Sequence, residues 1–81
     1  MRSFAKDHAE WSKRVTAYLK VRVEDAGLTY AEFAERLERY GYPNETPEGL
    51  KQKMYRGRLS AAFFLAALAA LGETRLVLKD V

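Results

Sequence analysis

The residues of this chain best suited to bind an anion are the eight from Lys51 to Arg58, which read KQKMYRGR. Four of them are basic and none is acidic. Lysine and arginine neutralise phosphates, and the amide of Gln52 can hydrogen-bond the edges of bases. This combination predicts a nucleic-acid surface on which Tyr55 could stack. The alternative is a solvated basic face that only keeps a small protein soluble.

The position of this basic run in the chain says more than the net charge does. A net charge of +3 is weak evidence for an anionic partner. Residues 1–20 carry five basic and two acidic side chains. Residues 21–48 carry three basic and seven acidic side chains, whereas residues 49–58 carry four basic and no acidic side chains. The charge pattern therefore predicts a surface divided into basic and acidic areas rather than a uniformly charged one.

Four helices are predicted to position these residues. The first runs from about Lys6 to Ala26, where Gly27 ends it. The second begins at the capping box of Thr29 and Glu32 and ends at Gly41. The third spans Pro47 to about Arg56 and the fourth spans Ala61 to Leu71.

The third predicted helix has one apolar and one polar face. At about 100° per residue, Leu50 and Met54 lie on the face that meets the core. Gln52, Tyr55 and Arg56 lie on the opposite face, which is left for a partner. Thr46 precedes the helix and is favoured as its N-cap, although its hydroxyl could also contact a phosphate.

The fourth predicted helix is apolar almost all round, which is typical of a helix surrounded by others. We expect Trp11 to anchor the first helix in the same core. The tail, residues 73–81, is open to three interpretations: a short strand, an ordered arm or a disordered end. The core residues expected on the third and fourth helices are Met54, Phe63, Phe64, Leu65, Leu68 and Leu71.

Composition argues against several classes of protein. The chain has no cysteine and one histidine, His8, which makes a metal site improbable and a local surface role the default for that histidine. It contains neither a glycine-rich phosphate loop nor a Gly-x-Ser-x-Gly elbow. No apolar run is long enough to span a bilayer. We therefore expect a cytoplasmic, single-domain protein over residues 1–81, with its core at about 6–72, that is no enzyme and uses no cofactor.

The order of these elements resembles the lambda-repressor-like helix-turn-helix domains of the XRE group. The resemblance rests on the Gly27-Leu28-Thr29 start, the capped second helix, the Arg56-Gly57 ending of the third and the Leu68–Gly72 ending of the fourth. It implies an all-α bundle and a bacterial DNA-binding protein that regulates transcription. The stretch RGRLSAAFF, residues 56–64, looks more specifically like a bacterial family of small domains of unknown function.

Three departures from the repressor-like pattern keep a second hypothesis open. About seven extra residues separate Ala34 from the third helix, Tyr30 stands where the family has a glutamine, and Glu48 lies at the leading end of the third helix. An extended second helix ending at Tyr40 would absorb part of the long turn. The rival hypothesis is a protein–protein interaction module that keeps the fold without binding DNA, and the long turn, Glu48 and the acidic surface of the second helix favour it. If Glu35 and Glu38 lie beside the outer face of the third helix, they oppose DNA binding; if they lie on the far side, the basic face is free for DNA.

The resemblance implies a mechanism in which the helix Pro47–Arg56 enters the major groove of double-stranded DNA. Gln52 and Lys51 would contact bases. A homodimer is expected because one such module offers a small interface, and the apolar tail around Leu76–Leu78 is the candidate dimer contact. The remaining predicted contacts, mainly to the DNA backbone, are Lys53, Arg56, Arg58, Thr46, Tyr30 and Tyr55, with Lys13 or Arg14 adding phosphate contacts from the first helix.

Overall fold

The computed structural model describes residues 3–81, and this range forms an all-α bundle without a β-strand. The all-α fold of four main helices is therefore confirmed. Short 3-10 turns at Glu38–Tyr40 and Leu78–Asp80 complete the described range. The helices are α1 (His8–Asp25), α2 (Tyr30–Leu37), α3 (Pro47–Arg56) and α4 (Ala61–Ala70).

Each helix begins at a side chain that accepts a hydrogen bond from a backbone amide three residues later. The acceptors for α2, α3 and α4 are Thr29, Thr46 and Ser60, as the sequence predicts. For α1 the acceptor is Asp7, so this helix begins at His8 rather than at Lys6. These caps depend only on nearby residues, and the predicted starts are correspondingly accurate.

The helix ends differ more from the prediction. The α-helical part of α2 stops at Leu37, and the chain continues as the 3-10 turn to Tyr40 before Gly41, which has a φ of 95°. The helical chain thus does absorb part of the long turn, although its last residues are wound more tightly. The helices α1 and α4 each end one residue earlier than predicted, at Asp25 and Ala70.

The hydrophobic core joins all four helices. Its four fully buried large side chains are Leu19 of α1, Phe33 and Leu37 of α2, and Leu50 of α3. The helix α4 contributes several further buried residues. The predicted burial of Met54, Phe63, Phe64 and Leu68 is confirmed.

Three predictions about the core are wrong in detail. Leu65 is 58% exposed, and α4 is therefore not surrounded by other helices. A domain of this size has too few elements to enclose a helix, so an all-apolar helix leaves one side at the surface. Leu71 is half-buried at the edge of the core. Trp11 packs on Phe4 with ring centroids 6.1 Å apart and lies outside the core cluster.

The tail is an ordered arm, which decides between the three interpretations. Glu73 forms an ion pair with Arg22 of α1, and Leu76 packs against the core. Val81 is buried, and the arm borders a groove of about 630 Å³ along α1. No helix within residues 3–81 has the length and hydropathy needed to cross a membrane.

The capping box of α2 makes stability depend on pH. The carboxylate of Glu32 accepts a hydrogen bond from the Thr29 amide at 2.9 Å, which is the main reason that the pKa of Glu32 is lowered. The Thr29 hydroxyl and the charge of Arg36 lower the pKa of Glu32 further. Because the pKa of Glu32 is lower in the folded state, its charged carboxylate stabilises the folded protein at pH values above the ordinary carboxyl pKa. This contribution disappears as the pH falls through the folded-state pKa.

We therefore expect the wild type to lose more stability on acidification than Glu32→Gln does. The difference in their free energies of unfolding at neutral pH should shrink as the pH falls through the folded-state pKa of Glu32, because both proteins then carry a neutral group at this position. Urea denaturation across this pH range measures it. Glu35→Gln removes an exposed carboxylate of α2 outside the cap and is the control. A constant difference between wild type and Glu32→Gln at all pH values would contradict the expectation.

Candidate nucleic-acid interface

The helix α3 separates its apolar and polar residues as the periodicity predicts. Leu50 and Met54 are buried in the core. Lys51, Gln52 and Arg56 are exposed, and Tyr55 between them is 86% exposed. Tyr55 therefore packs against no neighbouring helix, and its ring is free to meet a partner.

The start of α3 is built around Thr46 and Gly49. The Thr46 hydroxyl oxygen accepts a hydrogen bond from the Gly49 amide at 3.0 Å, which is the cap that the sequence favours. A Cβ atom on Gly49 would lie only 2.9 Å from that hydroxyl oxygen, so a side chain there would displace the cap. Glu48 is exposed in the first turn, where a carboxylate complements the helix dipole.

Lys53 faces a different neighbourhood from the other basic residues of α3. Its Nζ atom lies 3.0 Å from a carboxylate oxygen of Glu45 and 4.2 Å from the centre of the Phe63 ring. Both partners are partly or fully buried. The structure thus gives Lys53 a role in fastening α3 to the preceding loop and to α4, whereas the sequence analysis assigned it to the DNA backbone.

The long turn between α2 and α3 is anchored at the same place. Tyr42 packs on Phe63 in an edge-to-face arrangement with ring centroids 5.2 Å apart. The Tyr42 amide also donates to the Leu37 carbonyl at 3.1 Å, which closes the end of the helical segment. Phe63 therefore joins the turn, α3 and α4, and the extra residues of the turn form part of the packed structure.

A cleft between α1 and the end of α3 brings together basic residues that are far apart in the chain. We call it the α1–α3 cleft; its volume is about 500 Å³. Lys13 and Lys20 of α1 line one side, and Arg56 and Arg58 line the other. His8 lies at the same cleft, and none of the acidic residues that the structure describes lines it.

Sequence spacing and one glycine explain how this cleft forms. His8, Ser12, Thr16 and Lys20 follow one another at intervals of four residues, so they lie along one side of α1. Gly57 ends α3 with a φ of 68°, and a Cβ atom on it would lie 3.5 Å from the Thr16 hydroxyl oxygen. The backbone between the two arginines is thus held close to α1.

Ion pairs distinguish the cleft residues from their neighbours. Within residues 3–81, none of the four basic residues of the cleft forms an ion pair; they are Lys13, Lys20, Arg56 and Arg58. Arg14, by contrast, is 3.5 Å from Glu10 and donates to the Ser3 carbonyl at 2.8 Å. Of the two residues of the first helix predicted to contact phosphates, Lys13 is the one that forms no ion pair in the described part of the chain.

The sequence analysis missed Lys20 and the proximity of His8 to the basic run. Both lie on the stripe of α1 described above, and the four-residue spacing was the available signal. Nothing in the sequence, however, showed which side of α1 would meet the end of α3. Ser12 was missed as well; its hydroxyl oxygen is 3.4 Å from Nε2 of His8.

Two further residues belong to α2, and neither lines the α1–α3 cleft. Tyr30 is half-buried and packs against the hydrophobic core from the first position of the helix. Glu35 borders a shallow depression with Glu32, Arg36 and Arg39, and no residue of α3 lines it. Arg36 donates to the Ala70 carbonyl at the end of α4 at 3.3 Å.

The comparison with known families covers nearly the whole of this site. A family model described as Domain of unknown function (DUF6471) matches residues 11–76. The chain belongs to this family. The matched range includes α2, α3, α4 and the RGRLSAAFF stretch, so the expected membership in a family of unknown function is confirmed.

DUF6471 membership brings no activity with it. No curated protein and no solved structure matches the chain. The helix-turn-helix resemblance of this DUF6471 domain therefore stays a prediction, and the argument for a function rests on the residues described above.

Proposed function

We propose that this DUF6471 domain is a bacterial, cytoplasmic DNA-binding protein that regulates transcription by placing α3 in the major groove. The observation that carries the proposal is the exposed face of α3. Lys51, Gln52, Tyr55 and Arg56 all point away from the core, and no acidic side chain pairs with either basic residue within the described part of the chain. A short helix with this face has the donors that base edges and phosphates require.

The proposal gives each side chain a chemical role. Gln52 reads a base edge with its amide, and Lys51 contacts a base or a neighbouring phosphate. Arg56 and Arg58 neutralise phosphates. Tyr55 stacks on or packs against the sugar-phosphate backbone with its exposed ring. Thr46 still has its hydroxyl hydrogen to donate to a phosphate, since the cap uses only the oxygen.

Two predicted contacts are weaker parts of the proposal. Tyr30 would contribute only its hydroxyl, because its ring packs on the core. Lys53 is left out, since a contact with a phosphate would separate it from Glu45. The contribution of α2 to DNA binding is therefore smaller than in the repressor-like pattern.

Dimerisation belongs to the proposal because a single module offers a small DNA interface. Within the predicted contact Leu76–Leu78, Leu76 is partly buried against the core. Leu78 is 59% exposed, and Val77 beside it is also exposed. These two residues of the arm are the candidate contact between two copies.

The second candidate function is a protein-interaction module. Glu48 and Tyr55 favour it, because an exposed carboxylate at the start of α3 repels phosphates and an exposed aromatic ring is typical of protein interfaces. The position of Glu35 favours DNA instead. It borders a depression away from α3, together with two arginines that offset its charge.

Binding to mixed-sequence duplex DNA tests the proposal. We expect the fluorescence anisotropy of a labelled duplex to rise with wild-type protein and the affinity to fall steeply with salt, because each phosphate contact releases counterions. Lys51→Glu/Arg56→Glu should lose at least about a hundredfold in affinity at low salt, since two attractive contacts become repulsive. Sedimentation velocity of the same samples gives the oligomeric state.

Circular dichroism of the double variant is the control for folding, because both residues are exposed and their replacement should leave the helices intact. Absence of wild-type binding at low salt, with an intact helical spectrum, would contradict DNA binding and favour the protein-interaction module. Equal binding by wild type and a folded double variant would show that α3 is not the DNA-binding element.

A further inference from the structure

We propose that the α1–α3 cleft is a second DNA contact that holds the phosphates of the strand next to α3. This inference rests on the proposed function and extends it to α1. It assigns Lys13 and Lys20 to the DNA interface together with Arg56 and Arg58. The cleft differs from the exposed face of α3 because its chemistry suits the DNA backbone rather than base edges.

The charge of the cleft is the first argument. Two lysines and two arginines line it, without any acidic residue in the lining and without an ion pair in residues 3–81. Cations that lack partners on the protein repel one another when they are brought together, so an anion between them relieves that repulsion. A concave surface with one sign of charge also focuses the electrostatic field.

The shape of the cleft is the second argument. Its lining runs along α1 from His8 to Lys20, which is about 18 Å at the rise of an α-helix. This length exceeds that of one phosphate group and fits a stretch of polymer. The Ser12 hydroxyl and the His8 ring add polar groups along the same side of α1, and such groups commonly contact phosphate oxygens.

The connection between the cleft and α3 is the third argument. Arg56 belongs to both surfaces, as the last residue of α3 and as part of the cleft lining. Gly57 follows it, and a Cβ atom there would lie 3.5 Å from the Thr16 hydroxyl oxygen, so the end of α3 lies directly beside α1. A DNA strand leaving the groove at the end of α3 would thus enter the cleft directly.

Two other hollows among residues 3–81 lack this chemistry. The larger groove along α1 shares Lys13 with the cleft but also includes Asp80 of the arm. The depression on α2 includes Glu32 and Glu35. Of these three hollows, the α1–α3 cleft is therefore the one suited to a polyanion.

The test compares two double variants that change the net charge equally. Lys13→Gln/Lys20→Gln removes the two lysines of the cleft, and Lys6→Gln/Lys79→Gln removes two exposed lysines outside it. The measurement is the slope of log K against log salt for the mixed-sequence duplex. Removing two phosphate contacts should make the slope shallower by about 1.8, since each contact contributes about 0.9. The control pair should change the slope by much less.

Four outcomes separate this inference from the proposed function. The expected result is a shallower slope for the cleft pair alone. An unchanged slope for the cleft pair, with wild-type binding intact, overturns the cleft assignment and leaves the role of α3 standing. Loss of binding in the cleft pair but full binding in Lys51→Glu/Gln52→Glu, which changes two residues of α3 outside the cleft, supports the cleft and overturns the role of the exposed face of α3. No wild-type binding at low salt overturns both.

Discussion

Replacing Phe63 by alanine is expected to lower the free energy of unfolding by about 3–5 kcal/mol, the usual cost of removing a buried phenylalanine. The ring is only 2% exposed and touches both Tyr42 of the long turn and Lys53 of α3. A domain of 81 residues has a total stability of about 4–12 kcal/mol. The variant should therefore lose about a quarter of its total stability or more, which urea or thermal denaturation measures.

Leu65→Ala is the matched control for Phe63→Ala. It lies in the same helix, and it too replaces a large apolar side chain by alanine. Because Leu65 is 58% exposed, its removal should change the free energy of unfolding by no more than about 0.5 kcal/mol. A loss of several kcal/mol in Leu65→Ala would mean that this side chain is covered, for example by a second copy. A loss below about 1 kcal/mol in Phe63→Ala would contradict the central position of this ring.

This pair of residues shows what the sequence can and cannot predict about the core. Residues Ala61 to Ala70 read AAFFLAALAA, and nothing in that run separates a buried leucine from an exposed one. The helix itself was predictable, because Ser60 supplies the cap and the run has no breaker. Which side of α4 faces solvent depends on where the other three helices pack, and periodicity cannot supply that when every residue is apolar.

The candidate site also has features that the sequence predicts and features that only the tertiary structure shows. The two faces of α3 were predictable, because Leu50 and Met54 alternate with polar residues at helical spacing. The partners of Lys53 were not, because Glu45 and Phe63 come from a loop and from another helix. The α1–α3 cleft also required the tertiary structure, since it joins Lys20 to Arg58 across the bundle.

Replacing either lysine of α3 by methionine should therefore have different effects on stability and on DNA binding. Lys53→Met should lower the free energy of unfolding by about 1–2 kcal/mol, because it removes a partly screened ion pair with Glu45 and a cation–π contact with Phe63. Methionine keeps most of the side-chain volume, so the loss reports mainly on the charge. Lys51→Met should stay within about 0.5 kcal/mol of wild type, because Lys51 is exposed and has no ion pair among residues 3–81.

For DNA binding we expect the reverse, with the larger effect from Lys51→Met and the smaller from Lys53→Met. Lys51→Met is expected to make the slope of log K against log salt shallower by about 0.9 if Lys51 neutralises one phosphate, whereas Lys53→Met should leave the slope unchanged at temperatures where it is folded. Urea denaturation and anisotropy on the same two proteins measure both quantities. Equal losses of slope in the two variants would mean that Lys53 leaves Glu45 when DNA binds. The side of α3 that carries Glu45 and Phe63 would then belong to the DNA interface.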